Sequence, residues 1–320
     1  MSRSFSRYMK EARFALLLLL VLVVITVILT PSRFSPAQFG TTLGLMTPLI
    51  LAACAVTPVF LAGREGIDLS VGPMIGFISV IIVKLLIHDA GVSSPFVIIP
   101  AALLLGMAIG AVNGFLAVYL RVQPIVTTLG TYLVLAGLAT WILPSPLGPV
   151  PKWLVGLSEN YSIIPLLFVA GIWLAIKSRP LYGMILTIGG EDRAAYAAGV
   201  NVELVRFTTY VIAGFFAAVA AVALTGLLGS ADPQVGPNYT LLAIAAAALG
   251  GVSLAGGKGT MVGAAIGAVD VFLLQNLVTH FNVSSFVLQI VYGLILVLAV
   301  ALNSDVIGRK SFFGRETTDG

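Results

Sequence analysis

Asp270 stands in the middle of an apolar run at 260–278, and Asp68 and Ser70 stand between two other such runs. A carboxylate surrounded by hydrocarbon costs about 2.5–3.5 kcal/mol on insertion scales. Asp270 is therefore expected to face protein rather than lipid, as a pairing or pathway residue. Asn276 lies in the same run, and Asn113 lies in the run 95–120; both join the set of expected interior polar residues. Asp68 and Ser70 belong to Gly63-Arg64-Glu65-Gly66-Ile67-Asp68-Leu69-Ser70-Val71-Gly72-Pro73. Three glycines, a proline and three charges in that stretch do not continue a lipid-facing helix. One reading is an interfacial loop. The other is a discontinuous segment inside a bundle, with Asp68 near a helix N-terminus, where the helix dipole favours a carboxylate.

Other chemistries are poorly supplied. Cys54 is the single cysteine, which excludes an intrachain disulfide or a cysteine metal cluster. His88 and His280 are far apart at the ends of apolar runs, so no metal site is expected. The stretch Leu249-Gly250-Gly251-Val252-Ser253-Leu254-Ala255-Gly256-Gly257-Lys258-Gly259-Thr260 looks at first like a phosphate-binding loop. That motif needs Gly at 252 and Ser or Thr at 259, where Val252 and Gly259 stand. No constellation of His, Asp and Glu suggests an enzyme acting on lipid-linked substrates, and no cofactor is expected. A secondary transporter using an ion gradient through Asp68 and Asp270 is a possible use of the buried acids.

The elements that must position these residues follow from composition. The 320 residues are 59% hydrophobic and 9% charged, with mean hydropathy +1.07. Soluble domains carry roughly 25% charged residues, so most of this chain has lipid as its solvent. Long unbroken apolar runs argue against a membrane β-barrel, whose strands alternate. Helices of about 20 apolar residues span a bilayer. Ten stretches qualify, at 14–29, 43–61, 71–87, 95–120, 122–143, 161–176, 207–228, 239–254, 260–278 and 284–302. The third, sixth and eighth are short or interrupted by glycine, which leaves room for re-entrant segments. The expected fold is an all-α polytopic integral membrane bundle of about ten transmembrane helices.

Orientation comes from the basic residues. With the N-terminus in the cytoplasm, 14 of the 17 Lys and Arg fall on the inner side, leaving Arg33, Lys84 and Lys152. Positive charge is retained on the cytoplasmic face, so both termini are expected inside. The basic leader and the run 14–30 resemble a signal peptide, but no A-x-A pattern of small residues follows. An uncleaved first helix is expected. Residues 1–13 and 304–320 are then cytoplasmic tails flanking a membrane domain at 14–303. The pI of about 9.3 reflects this clustering of charge, and no nucleic-acid partner is expected.

Between the sixth and seventh spans lies the longest charged stretch, 177–206, on the side expected to be cytoplasmic. Its centre, Gly189-Gly190-Glu191-Asp192-Arg193-Ala194-Ala195-Tyr196-Ala197-Ala198-Gly199-Val200-Asn201, reads as a short helix. Glu191 or Asp192 is its expected cap and Gly199 its stop. Exposed alanines and a tyrosine would give it a flat docking surface, and it lacks the large apolar residues of a membrane-surface anchor. Two further features stand out. Eight of eleven positions are identical between 106–116, which contains Asn113, and 263–273, which contains Asp270. That likeness fits either an inverted repeat or convergent small-residue packing. The loop Pro144–Trp153 carries four prolines and fits a lid or a docking edge.

Four of these stretches resemble one family in the same order. Gly66-Ile67-Asp68-Leu69-Ser70-Val71-Gly72 resembles a signature of the membrane permeases of ribose/xylose/galactose-type ABC importers. Val122-Gln123-Pro124-Ile125-Val126-Thr127-Thr128-Leu129-Gly130-Thr131 is similar to the family's fifth-helix motif. Arg193–Val200 resembles its E-A-A-x-x-x-G coupling segment, and Leu249–Thr260 also matches. The resemblance covers about 14–303. It implies a translocation subunit with no ATPase of its own, in the bacterial inner membrane, that moves a monosaccharide by alternating access. Its implied partners are a second permease chain, identical or not, two cytoplasmic ATP-binding subunits and a periplasmic substrate-binding protein. Nucleoside and branched-chain amino-acid permeases lie in the same wider group. By the same resemblance Arg193, Ala194, Ala195 and Gly199 face the ATPase, while Thr127 and Thr128 join Asp68, Ser70, Asn113, Asp270 and Asn276 in the interior. The chain departs from the family pattern at Glu65, Glu191, Asp192 and Arg193, where the family has Gly, Asn, Asn and Glu.

Overall fold

The computed structural model describes residues 13–31, 35, 37–63, 66–281, 287, 290, 293 and 294. Twelve α-helices lie within the described residues, and none of those residues forms a strand beyond a single bridge between Leu147 and Ala231. In chain order they are α1 Arg13–Leu29, α2 Phe39–Leu61, α3 Val71–Val80, α4 Pro95–Gly114, α5 Pro124–Ile142 and α6 Lys152–Gly156. There follow α7 Ile163–Lys177, α8 Pro180–Gly190, α9 Asp192–Ala197, α10 Val202–Leu228, α11 Asn238–Leu249 and α12 Met261–His280. Helices α3 and α4 each continue as a wider π-helical segment, Ile81–Asp89 and Phe115–Tyr119. The protein is thus an all-α membrane bundle.

Among the described residues, six helical spans are long and apolar enough to cross a membrane. The sixth expected span, 161–176, is α7, and α8, within the stretch expected to be cytoplasmic, is a second apolar helix bent 80° from it. Pro180 opens α8 right after the break, as a proline does when it ends one helix and starts the next. The eighth is only the 12-residue α11. At 1.5 Å per residue that is about 18 Å, too short for a bilayer core of about 30 Å. Most of the tenth expected span, 284–302, residues 1–12 and residues 304–320 lie outside the described residues.

Two helices form the centre. In α2 the most apolar window is 89% buried and in α10 it is 72% buried, against 28% for α4 and 22% for α5. Their buried faces are rich in alanine and glycine: Ala52, Ala53 and Ala55 on α2, and Ala217, Ala218, Ala220 and Ala221 on α10. Where lipid is as apolar as the side chains, helices associate by close packing, and small residues permit the closest approach. The α4–α10 contact shows the limit. A Cβ placed on Gly106 would collide with the Gly214 carbonyl, and one on Gly214 would collide with the Gly106 carbonyl.

Both breaks in helical regularity meet inside the molecule. The chain at 66–70 leads into α3 and the chain at 229–237 leads into α11. Gly236 packs against Gly72 and Gly76, and the Thr240 hydroxyl donates to the Leu69 carbonyl at 3.2 Å. Nearby, Thr225 donates to Ser79 at 2.8 Å. Non-helical backbone is tolerated in such a bundle where protein surrounds it. The chain at 66–70 is accordingly enclosed by other elements of the bundle. Asp68 and Ser70 are fully buried.

The proline loop is held at both ends. Leu147 exchanges backbone hydrogen bonds with Ala231, and the Trp153 indole donates to the Ser93 carbonyl at 2.7 Å.

Candidate functional site

The buried polar residues of 66–70, α4 and α5 form one cluster. Asp68 Oδ1 accepts from the Ser70 backbone N–H at 2.9 Å and from the Ser70 hydroxyl at 2.6 Å. The Asn113 amide then donates to Ser70 Oγ at 2.8 Å, and the Thr131 hydroxyl donates to Asn113 Oδ1 at 2.6 Å. Thr128 donates to the Ile67 carbonyl at 2.9 Å. The bonds made by Asn113, Thr128 and Thr131 join positions distant in sequence, so the cluster fastens the irregular chain to two helices. Thr131 was not foreseen as a member. Its signal was nonetheless present, since 127, 128 and 131 fall on one face of a helix.

Thr127 is buried as well, but its hydroxyl has no hydrogen-bond partner among the described residues. The same is true of Asp68 Oδ2 and of the Tyr210 hydroxyl on α10. Asp270 does not join this cluster. It is fully buried on α12, and neither carboxylate oxygen meets a partner among the described residues. Asn276, further along α12, is half-buried. The alike segments 106–116 and 263–273 pack against different neighbours: Gly106 and Gly110 meet α10, whereas Gly263 and Gly267 meet Gly250 and Ala246.

A second group of residues surrounds the short helix α9. It begins at Asp192, one residue before the expected start, and neither Glu191 nor Asp192 caps it with a side chain. Asp192 instead pairs with Arg206 of α10 at 2.7 Å. Gly199 has φ +83°, a left-handed conformation that ends the helix turn. Arg193, Ala194, Tyr196 and Gly199 are exposed, with Tyr196 77% accessible. Ala195 is a correction to the expected docking surface: it is fully buried, because the inner side of so short a helix must pack on the bundle. A cavity of about 1440 Å³ lies beside α9, bounded by Arg121 and Pro124 on one side and by Asn201, Arg206 and Tyr210 on the other.

The preceding helix, α8, is pinned by close backbone contact. The Gly257 N–H donates to the Leu61 carbonyl at 3.1 Å. A Cβ on Gly189 would collide with that same carbonyl, and one on Gly256 (φ +100°) would collide with Gly63. The glycine-rich stretch at 249–260 thus serves as a packing junction between the end of α2 and α8. This agrees with its failure to meet the phosphate-loop pattern. No group of three metal-binding side chains occurs among the described residues.

The described residues form a bundle with a buried polar cluster and a small exposed helix tied to its centre. The family model for the permease component of branched-chain amino acid transport systems matches residues 38–300. The ribose import permease RbsC of Escherichia coli K12 is 32% identical over 312 residues, covering 91% of this chain and 92% of that protein. RbsC of Bacillus subtilis 168 is 33% identical over 301 residues, 89% of this chain and 90% of that one. The galactose/methyl galactoside import permease MglC of E. coli K12 is 29% identical over 332 residues, 96% of this chain and 98% of that one. No solved structure matches. The match along most of the length, over a bundle of apolar helices, places the chain in this family: it is a multi-pass membrane protein belonging to the permease components of bacterial transport systems.

Proposed function

We propose that this chain is the translocation subunit of an ATP-driven importer for a monosaccharide in the bacterial inner membrane. The observation that carries the proposal is the likeness to ribose and galactose import permeases along about nine-tenths of the chain. In this reading two ATP-binding subunits sit on the cytoplasmic face, a second permease chain completes the pathway and a periplasmic protein delivers the sugar. The exposed residues Arg193, Ala194, Tyr196 and Gly199 meet the ATP-binding subunit. The buried cluster of Asp68, Ser70, Asn113, Thr128 and Thr131 keeps the irregular segment fixed against α4 and α5 as the bundle alternates. Alternation needs nucleotide and loaded binding protein each to favour one conformation over the other. Asp270 supports the reading of an inward-facing acid rather than a lipid-facing one, since no part of it is exposed.

The test is uptake by proteoliposomes holding this chain with the ATP-binding and substrate-binding subunits encoded beside it. ATP-dependent accumulation of labelled ribose, xylose or galactose is the expected result. Uptake that persists without ATP and follows an imposed ion gradient overturns the ATP-driven reading. ATP-dependent uptake of a nucleoside or leucine in place of sugar overturns the substrate class.

A further inference from the structure

Arg206 lies in the second turn of α10, yet its side chain reaches two other elements. Its Nη2 donates to Asp192 Oδ1 at 2.7 Å and lies 3.4 Å from the Ala62 carbonyl oxygen. Asp192 opens α9, and Ala62 is the residue that closes α2. One guanidinium therefore stands where the exposed short helix and the two central helices of the bundle meet. The arginine side chain is 10% exposed and that of Asp192 is 31% exposed. Shielding from water strengthens such a pair relative to a surface one. The neighbouring pair makes the contrast: Arg121 and Glu203 are 3.4 Å apart with side chains 81% and 53% exposed, a screened contact of little worth.

Helix α9 has six residues, far too few to hold a helix by its own hydrogen bonds. Its placement is decided by what it touches. Ala195 is pressed into the bundle by packing, which resists movement inward but does not fix direction. The Asp192–Arg206 pair does, because it ties the first residue of α9 to α10. One turn further along α10, Tyr210 packs against Gly110 of α4, and the next turn brings Gly214 against Gly106. Helix α4 carries Asn113 of the buried cluster. A continuous path of packed groups thus leads from α9 to the interior.

We propose that Arg206 is the positioning residue that transmits displacement of α9 to α10 and α2, setting how much transport follows each ATP hydrolysed. The proposal rests on the reading of the chain as an ATP-driven translocation subunit. Arg206 addresses both acceptors through one nitrogen, Nη2, whose two N–H groups are held in fixed directions by the guanidinium plane, whereas lysine keeps the charge but not that fixed geometry.

The experiment uses the assembled transporter in proteoliposomes and reads sugar transported per ATP hydrolysed, for the wild type, Arg206→Gln, Arg206→Lys, Asp192→Asn and the exchanged pair Asp192→Arg with Arg206→Asp. Arg206→Gln is expected to lower that ratio about tenfold, within the range of coupling free energies, while hydrolysis itself changes less than about twofold. Arg206→Lys should fall between, Asp192→Asn should resemble Arg206→Gln, and the exchanged pair should recover part of the loss. A wild-type ratio in assembled Arg206→Gln transporters overturns the proposal. If that variant does not assemble, a wild-type ratio in both Arg206→Lys and Asp192→Asn overturns it instead. A wild-type complex with no ATP-driven transport is a separate failure, that of the functional reading beneath it.

Discussion

The Ser70 hydroxyl holds two neighbours, donating to Asp68 and accepting from Asn113. A buried hydrogen-bonding group left without its partner costs about 1–3 kcal/mol. Ser70→Ala orphans the Asn113 amide N–H and leaves the Asp68 carboxylate with one fewer donor. It is expected to lower the thermal unfolding midpoint of the detergent-solubilised protein, by the equivalent of about 1–3 kcal/mol. An unchanged midpoint would show that the cluster carries no stability. Asp270 gives the opposite expectation. Its carboxylate is fully buried without a partner among the described residues, and an acid within a membrane-spanning helix costs about 2.5–3.5 kcal/mol. Asp270→Ala should therefore leave the unfolding midpoint level or higher, yet reduce uptake. Wild-type uptake in this variant would remove Asp270 from the transport pathway. The sequence announced both acids through the apolar runs around them. It did not announce that one is hydrogen-bonded and the other is not, because Asn113 lies 43 positions from Ser70 and Thr131 lies 18 from Asn113.

Among the elements, α9 is the most legible and the most conditional. Its glycine boundaries, its alanines and its charge marked a short helix between two spans. The direction it faces was decided by packing: Ala195 turns inward and Tyr196 outward. At its end Gly199 takes φ +83° with open space around the position of a Cβ. A substitution there meets backbone strain of roughly 1–2 kcal/mol for an L-residue in the left-handed region, while a large side chain projects onto the exposed face. Gly199→Trp is expected to abolish uptake while the binding protein's affinity for sugar is unchanged, as read by calorimetry on that protein. Normal uptake would sink the assignment of α9 to ATPase coupling. Six of the expected spans were legible from hydropathy alone, but the bend of 80° between α7 and α8 and the 12-residue length of α11 were not. Hydropathy averages over a window. It cannot tell a continuous helix from an apolar stretch that includes a turn or an extended entry.

For the whole molecule, the partition of basic residues remains the strongest statement about orientation. Cysteines introduced at Ser2 and Asp319 should both react with a membrane-impermeant thiol reagent only when the cytoplasmic face is opened. Cys54 is buried, so it leaves the background low. Labelling of the two ends from opposite faces would refute an even number of spans. The amino-acid sequence by itself determined that lipid is the solvent, that helices are the dominant element, and which short stretches break their pattern. Those properties depend on composition and local periodicity, which are read one segment at a time. Only the tertiary structure decided which breaks meet and which charge finds which partner. Arg206 looked like one of fourteen inner-face cations until the fold brought it 2.7 Å from Asp192 and 3.4 Å from the carbonyl of Ala62, 144 positions away. Pairings over such separations arise from how closely small-residue helices can pack, a property of several helices together that no single stretch of chain contains.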